Sequence, residues 1–148
     1  MHCRSPDGCS ALTHQLTFRH TYRYEEGAGI QIPVGLYING YQKKLLANID
    51  SGASFCILER EHGESMGLDI ENGTGVRVAS VTGSFLVYGH EVALSVLGIE
   101  LDTTVYFAAP FGFGRNVLGR EGFLKRFRFG LIDYDSTLYL SDYDDTPE

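Results

Sequence analysis

Basic residues are few in this chain: 12 Lys and Arg stand against 19 Asp and Glu, for a formal net charge of −7. That balance argues against nucleic acid or an anionic membrane as the main partner, because both reward basic patches. Cysteine is scarce too, and the three residues Cys3, Cys9 and Cys56 cannot all pair with one another. An odd cysteine count without an export signal favours a reducing compartment. Tryptophan is absent, and long apolar runs are missing. The most hydrophobic stretch, Val81 to Leu101, is interrupted by Gly83, His90 and Glu91, so no membrane span is expected. Met1 to Asp7 is polar and lacks the apolar segment of a signal peptide. The expected location is cytoplasmic.

What the chain does contain points to β-structure. Its 148 residues suffice for one domain with a core and are short for two. Glycine is abundant at 18, and nine Tyr and nine Phe supply bulk. The expected division is a flexible lead-in at 1–10, one domain at 11–141, and a solvated acidic tail at 142–148.

Alternation of apolar and polar residues from Leu16 to Tyr24 predicts an extended strand. Ile30 to Ile38 and Tyr41 to Ile49 flank Asn39-Gly40, the strongest short-range hairpin signal. Phe55 to Leu58 reads as a short buried strand, and Glu59 to Leu68 as a short helix. Val76 to Ser80 and Ser84 to Tyr88 form a second hairpin around Val81-Thr82-Gly83. A third pair, His90 to Val96 and Leu101 to Phe107, follows. A Gly/Pro-rich loop, Ala108 to Gly114, then leads to Val117-Leu118-Gly119 and a helix candidate at Arg120 to Phe127. Leu131 to Tyr134 and Thr137 to Leu140 close the chain as a hairpin. Short strands with turn signals at regular spacing predict an all-β barrel or sandwich with one short helix near the C-terminus.

Chemistry concentrates at Asp50-Ser51-Gly52-Ala53, at the end of the strand that leaves the first hairpin. A carboxylate there is followed by a hydroxyl that can hydrogen-bond locally and by a glycine that lets two backbones approach closely. Asp, Ser and Gly are also turn formers, so the triplet alone is equally a surface turn. Its neighbours decide between the two.

Asp50-Ser51-Gly52-Ala53, a hairpin at Val76 to Tyr88, and Val117-Leu118-Gly119-Arg120 before a helix candidate occur in that order. In this the chain resembles the retropepsin-like aspartic peptidases over about Ile30 to Leu140. The resemblance implies a closed β-barrel in which the second hairpin is a flap. It assigns Asp50 as the catalytic residue, with Ser51, Gly52 and Ala53 supporting its loop. Val117, Leu118, Gly119 and Arg120 become the structural motif near the dimer. In retroviral members the Gly-Arg pair is followed by Asn or Asp; here Glu121 follows, which departs from the pattern.

Such a peptidase needs two carboxylates that share one proton, and this chain has a single Asp-Ser/Thr-Gly. Asp135-Ser136-Thr137 lacks the glycine. A second copy must therefore supply the partner, which implies a homodimer with both Asp50 residues at its axis. Ser80, Val81, Thr82, Gly83 and Phe85 of the flap, with Pro110, Phe111 and Phe113 of the loop before the second motif, are the expected substrate-binding residues. The substrate is a protein or peptide, and no cofactor or metal is called for. The Cys3, Cys9, His14 and His20 group fits no common zinc spacing, and Cys56 reads as a core thiol. The alternative is a catalytically silent or regulated peptide-binding and dimerisation module on the same fold, using strand addition.

Overall fold

A computed structural model describes residues 12–27 and 29–144. The expected lead-in at 1–10 and the last four residues of the acidic tail lie outside that range.

The first strand, β1 (His20–Arg23), does not pair with its neighbour in sequence. It lies on β10 (Thr137–Asp142), which pairs in turn with β9 (Phe127–Ile132), giving a three-stranded antiparallel sheet of order β1-β10-β9. Its register sets Tyr22 opposite Leu138 and Leu140 opposite Phe129.

The larger sheet has seven strands: β2 (Gln31–Ile38), β3 (Tyr41–Ile49), β4 (Ile57–Leu58), β5 (Thr74–Ser80), β6 (Gly83–Val96), β7 (Ile99–Ala108) and β8 (Val117–Leu118). Their order is β2-β3-β8-β4-β7-β6-β5, and β2 also pairs with β6 along Gly35–Tyr37. The fold is all-β, as the turn spacing predicts. Asn39 (φ 52°) and Gly40 (φ 80°) both take the left-handed conformation that a two-residue hairpin turn demands.

Burial follows the two-residue period of the strands. Ile32, Val34, Leu36 and Ile38 of β2 point inward, as do Val92, Leu94 and Val96 of β6 and Val105 and Phe107 of β7. Phe123, Phe127, Leu138 and Leu140 continue the same core beneath the smaller sheet. Each fully buried aliphatic or aromatic side chain contributes on the order of 1.5–3 kcal/mol relative to exposure.

Two expectations are corrected. The His90–Val96 strand is the second half of one 14-residue strand, β6, which runs through Gly89 without a break. Gly89 serves close packing there: a Cβ would lie 2.8 Å from the Tyr106 ring. The helix expected at Arg120 to Phe127 is only a 3₁₀ turn, Leu124–Arg126. Gly122 takes φ +88° against the Thr104 carbonyl, which is incompatible with a continuing helix. The α-helix of the described residues is instead α1 (Arg60–Glu64), within the Glu59 to Leu68 segment.

Candidate active site

The last residues of β3 deliver Asp50 into a loop that is laced to β8 and the residues after it. Val117 pairs with Asn48 of β3 in parallel and with Ile57 of β4 in antiparallel fashion, so β8 lies between the two arms of the loop. Asp50 N donates to the Leu118 carbonyl at 3.0 Å. On the far side, Arg120 N donates to the Ala53 carbonyl at 2.9 Å and Glu121 N to the Ser54 carbonyl at 2.8 Å. The two sequence motifs, remote from each other in the chain, are thus one hydrogen-bonded unit.

Gly119 makes that unit possible. A Cβ on it would lie 2.3 Å from the Phe55 carbonyl oxygen and 2.7 Å from that of Ala53. No side chain fits between those carbonyls. Gly52 contributes differently, through its N–H, which donates to Asp50 Oδ1 at 2.9 Å and closes a turn that fixes the carboxylate. Ser51 makes no hydrogen bond within the described residues; the Asp50 carboxylate, not the serine hydroxyl, holds the turn. Asp50 is half-buried, and Ser51 and Gly52 are exposed.

The second hairpin pairs β5, the last strand in the order of the larger sheet, with β6. Ser80 pairs with Gly83 across a two-residue tip, and Val81 at that tip is fully exposed. The tip is braced by its own hydroxyl: Ser80 Oγ donates to the Gly83 carbonyl at 3.0 Å.

At the root of the hairpin lies an apolar cluster apart from the main core. Ile57, Val87 and Ala108 are buried there, with Phe55, Val78, Phe85 and Phe113 packed partly exposed around them. Phe85 and Phe113 meet at 5.1 Å between ring centroids, and Phe55 meets Tyr106 at 4.9 Å. The cluster joins the end of the Asp50 loop, the flap strands and the loop before β8. Of the sequence candidates, Phe85 and Phe113 are brought together. Ser80, Val81, Thr82 and Gly83 form the exposed tip. Phe111 is separate: it is 69% exposed, and its ring lies against the Arg60 guanidinium at 4.4 Å. Pro110 is exposed beside it. Arg120 is exposed as well, so the arginine after Gly119 is not a buried one here.

Phe55, Tyr106 and Arg60 do not stand out in the sequence as site residues. Phe55 stands two residues after the Asp50-Ser51-Gly52-Ala53 motif, and that nearness is the signal it carries. Arg60 and Glu64 stand one helical turn apart and of opposite charge, a pattern that marks a paired side chain.

Cys56 is buried behind the loop with its Sγ 3.5 Å from the Glu121 carbonyl, and burial pushes its thiol pKa up to about 11. It is a core thiol and not a nucleophile. Ser136 of Asp135-Ser136-Thr137 is buried in the β9–β10 connection. Among the described residues no three His, Cys, Asp or Glu side chains gather as metal ligands. Cys3 and Cys9 lie outside that range. No helix of the described residues is long and apolar enough to cross a membrane.

No family model matches the chain, and no curated protein matches it. Among solved structures it is similar to the crystal structure of a retropepsin-like aspartic protease from Rickettsia conorii. The TM-score is 0.54 and the identity 21%, over 75% of this chain and 89% of that one. The fold is that of the retropepsin-like aspartic peptidases.

Proposed function

We propose that the protein is an aspartic endopeptidase that works as a homodimer, with Asp50 of each copy at the two-fold axis. The observation that carries this reading is the lacing of the Asp50 loop onto Val117-Leu118-Gly119, with Gly119 pressed between the Ala53 and Phe55 carbonyls. A surface turn needs no such support. A carboxylate that must be held at a fixed position does.

The chemistry follows from two carboxyl groups a few ångströms apart. Both cannot ionise cheaply, so the pair holds one proton between them. The ionised member takes a proton from a water molecule as that water attacks the scissile carbonyl. The protonated member donates to the carbonyl oxygen, and the resulting tetrahedral intermediate collapses with proton transfer to the leaving amine. One copy supplies one carboxylate, so a monomer lacks the machinery. The flap hairpin would cover an extended peptide, and the Phe85 and Phe113 cluster would receive apolar side chains flanking the cleaved bond.

The test is digestion of a broad peptide library at several pH values by the purified protein and by Asp50→Asn. Cleavage that disappears in the variant supports the reading. Peptide binding by both proteins, with cleavage by neither, replaces it with a peptide-binding module on the same fold.

A further inference from the structure

The 109–114 segment has no regular structure, yet it carries Phe113 onto the flap strand. Its two glycines at 112 and 114 both take φ +72°, a left-handed backbone on either side of Phe113 that favours glycine. Its start is tied to β6 by Ala109 N, which donates to the Leu86 carbonyl at 2.9 Å, and beyond that bond one side chain of α1 makes most of its polar contacts. Arg60, the first residue of α1, is 7% exposed and therefore almost wholly withdrawn from solvent. Its Nη1 donates to the Ala109 carbonyl at 2.6 Å. Its guanidinium plane lies over the Phe111 ring at 4.4 Å. The rest of the fork is occupied from behind: Nε donates to Glu64 at 3.1 Å and Nη2 to Glu71 at 2.8 Å. The hydrogen bonds to Glu64 and Glu71 hold the guanidinium pKa above its ordinary value, so it stays charged. Nearby, Gly112 N points at Glu61 Oε1 of the same helix at 3.5 Å.

A planar fork can make these contacts at once because its donors point in fixed directions. An ammonium on a flexible stem cannot cover the Phe111 ring and reach Ala109, Glu64 and Glu71 together. The two carboxylates aim Arg60, and Arg60 fixes both ends of the Ala109–Phe111 turn. The next residues then place Phe113 against Phe85 at 5.1 Å between ring centroids.

We propose that Arg60 is a positioning residue for the substrate cleft: it clamps the Ala109–Phe111 turn and thereby sets the position of Phe113 against the flap residue Phe85. Its bearing on cleavage rests on the peptidase reading; its bearing on the loop does not. Because Arg60 touches neither Asp50 nor the flap tip, its loss alters which side chains fit at the cleaved bond more than it alters the chemical step.

The absence of tryptophan supplies the reporter. In a Phe113→Trp protein, one indole stands at the contact with Phe85, and its emission reads the local packing. Adding Arg60→Met is expected to shift that emission to longer wavelength. Arg60→Lys, which keeps the charge, and Glu71→Gln, which removes one aiming carboxylate, should shift it less. In the Phe113 background, Arg60→Met should change the ratio of kcat/KM between peptides with large and small apolar side chains at the cleaved bond by severalfold. KM should move more than kcat, and Arg60→Lys should restore part of the ratio. If Arg60→Met does not fold, Arg60→Lys and Glu71→Gln carry the test. Unchanged indole emission in folded variants overturns the proposal. Shifted emission with an unchanged peptide preference overturns its role in the cleft. Shifted emission in a protein that cleaves no peptide keeps the clamp and discards the peptidase reading.

Discussion

Gly119 stands so close to Phe55 that a single added methyl group would sit 2.3 Å from its carbonyl oxygen. The carbonyls just before it, of Ala53 and Ser54, accept from Arg120 and Glu121 N–H, so any retreat of Phe55 strains the bonds that hold the Asp50 loop. Gly119→Ala is therefore expected to destabilise the fold by about 3 kcal/mol, the upper end of overpacking costs, because backbone and not a flexible side chain must yield. Denaturant unfolding checks this. A midpoint within error of the parent would mean that the two motifs are not tightly joined.

Asp50→Asn should abolish cleavage while leaving the monomer's stability within about 0.5 kcal/mol of the parent. The residue is half-buried, and an asparagine oxygen can accept the same Gly52 N–H. The variant should also dimerise with a different pH dependence, since asparagine has no proton to share at the axis. Sedimentation at graded concentrations and pH measures this, and an identical pH dependence in parent and variant would count against paired Asp50 residues.

Phe111 and Phe113 should behave differently. Phe111→Ala removes an exposed ring whose contact with Arg60 is worth about 0.5–1 kcal/mol, and because the Arg60 bond to Ala109 remains, peptide preference should shift less than on loss of Phe113. Phe113→Ala removes a partner of Phe85 and should cost roughly 1–3 kcal/mol together with a changed preference. Paired thermal melts and library digests distinguish them. Equal effects at both positions would dissolve the distinction.

The flap tip should be among the least protected parts of the domain. Val81 is fully exposed, and beyond the strand pair the turn is braced mainly by the Ser80 hydroxyl. Hydrogen exchange at Val81 and Thr82 is expected to be much faster than at Val92–Val96 of β6. Protection at the tip equal to that of β6 would remove the flap from the proposed mechanism.

His62 should make stability fall in mild acid. Burial, and then the nearby Lys43 charge, lower its pKa below the ordinary 6.5. The unfolded chain thus takes up a proton before the folded one does, so the contribution is complete above pH 6.5 and is lost as pH falls through the lowered value. His62→Asn should flatten that part of the stability–pH curve. A curve of unchanged slope below pH 6.5 would exclude His62 as its source.

Much of the fold was readable locally. Asn39-Gly40 announces its hairpin because a two-residue turn needs left-handed backbone, which those residues tolerate. Asp50-Ser51-Gly52-Ala53 was legible as turn-forming residue types at the end of a strand, whereas Val117-Leu118-Gly119 stood out only through the family resemblance. Alternating burial in β2 could be read from side-chain period alone. These are properties of neighbours in the chain.

Where neighbours disagree with distant packing, the sequence by itself stopped short. Gly89 has the look of a strand breaker, but it pairs with Tyr106 of β7, whose ring occupies the space a side chain would need, and β6 continues through it. Arg120 to Phe127 has helical composition, and the Thr104 carbonyl and Gly122 confine it to one 3₁₀ turn. Nothing near His20–Arg23 says that its partner is β10, because that pairing joins residues far apart in the chain, His20 with Leu140. Phe111 and Phe113 are alike on paper; only Arg60 on one side and Phe85 on the other separate an outward ring from one packed on the hairpin. The sequence determined which turns, strands and chemical groups the protein has. Tertiary structure decided which of them meet, since a buried guanidinium, a ring against a ring and a glycine between two carbonyls arise only when remote segments compete for the same space.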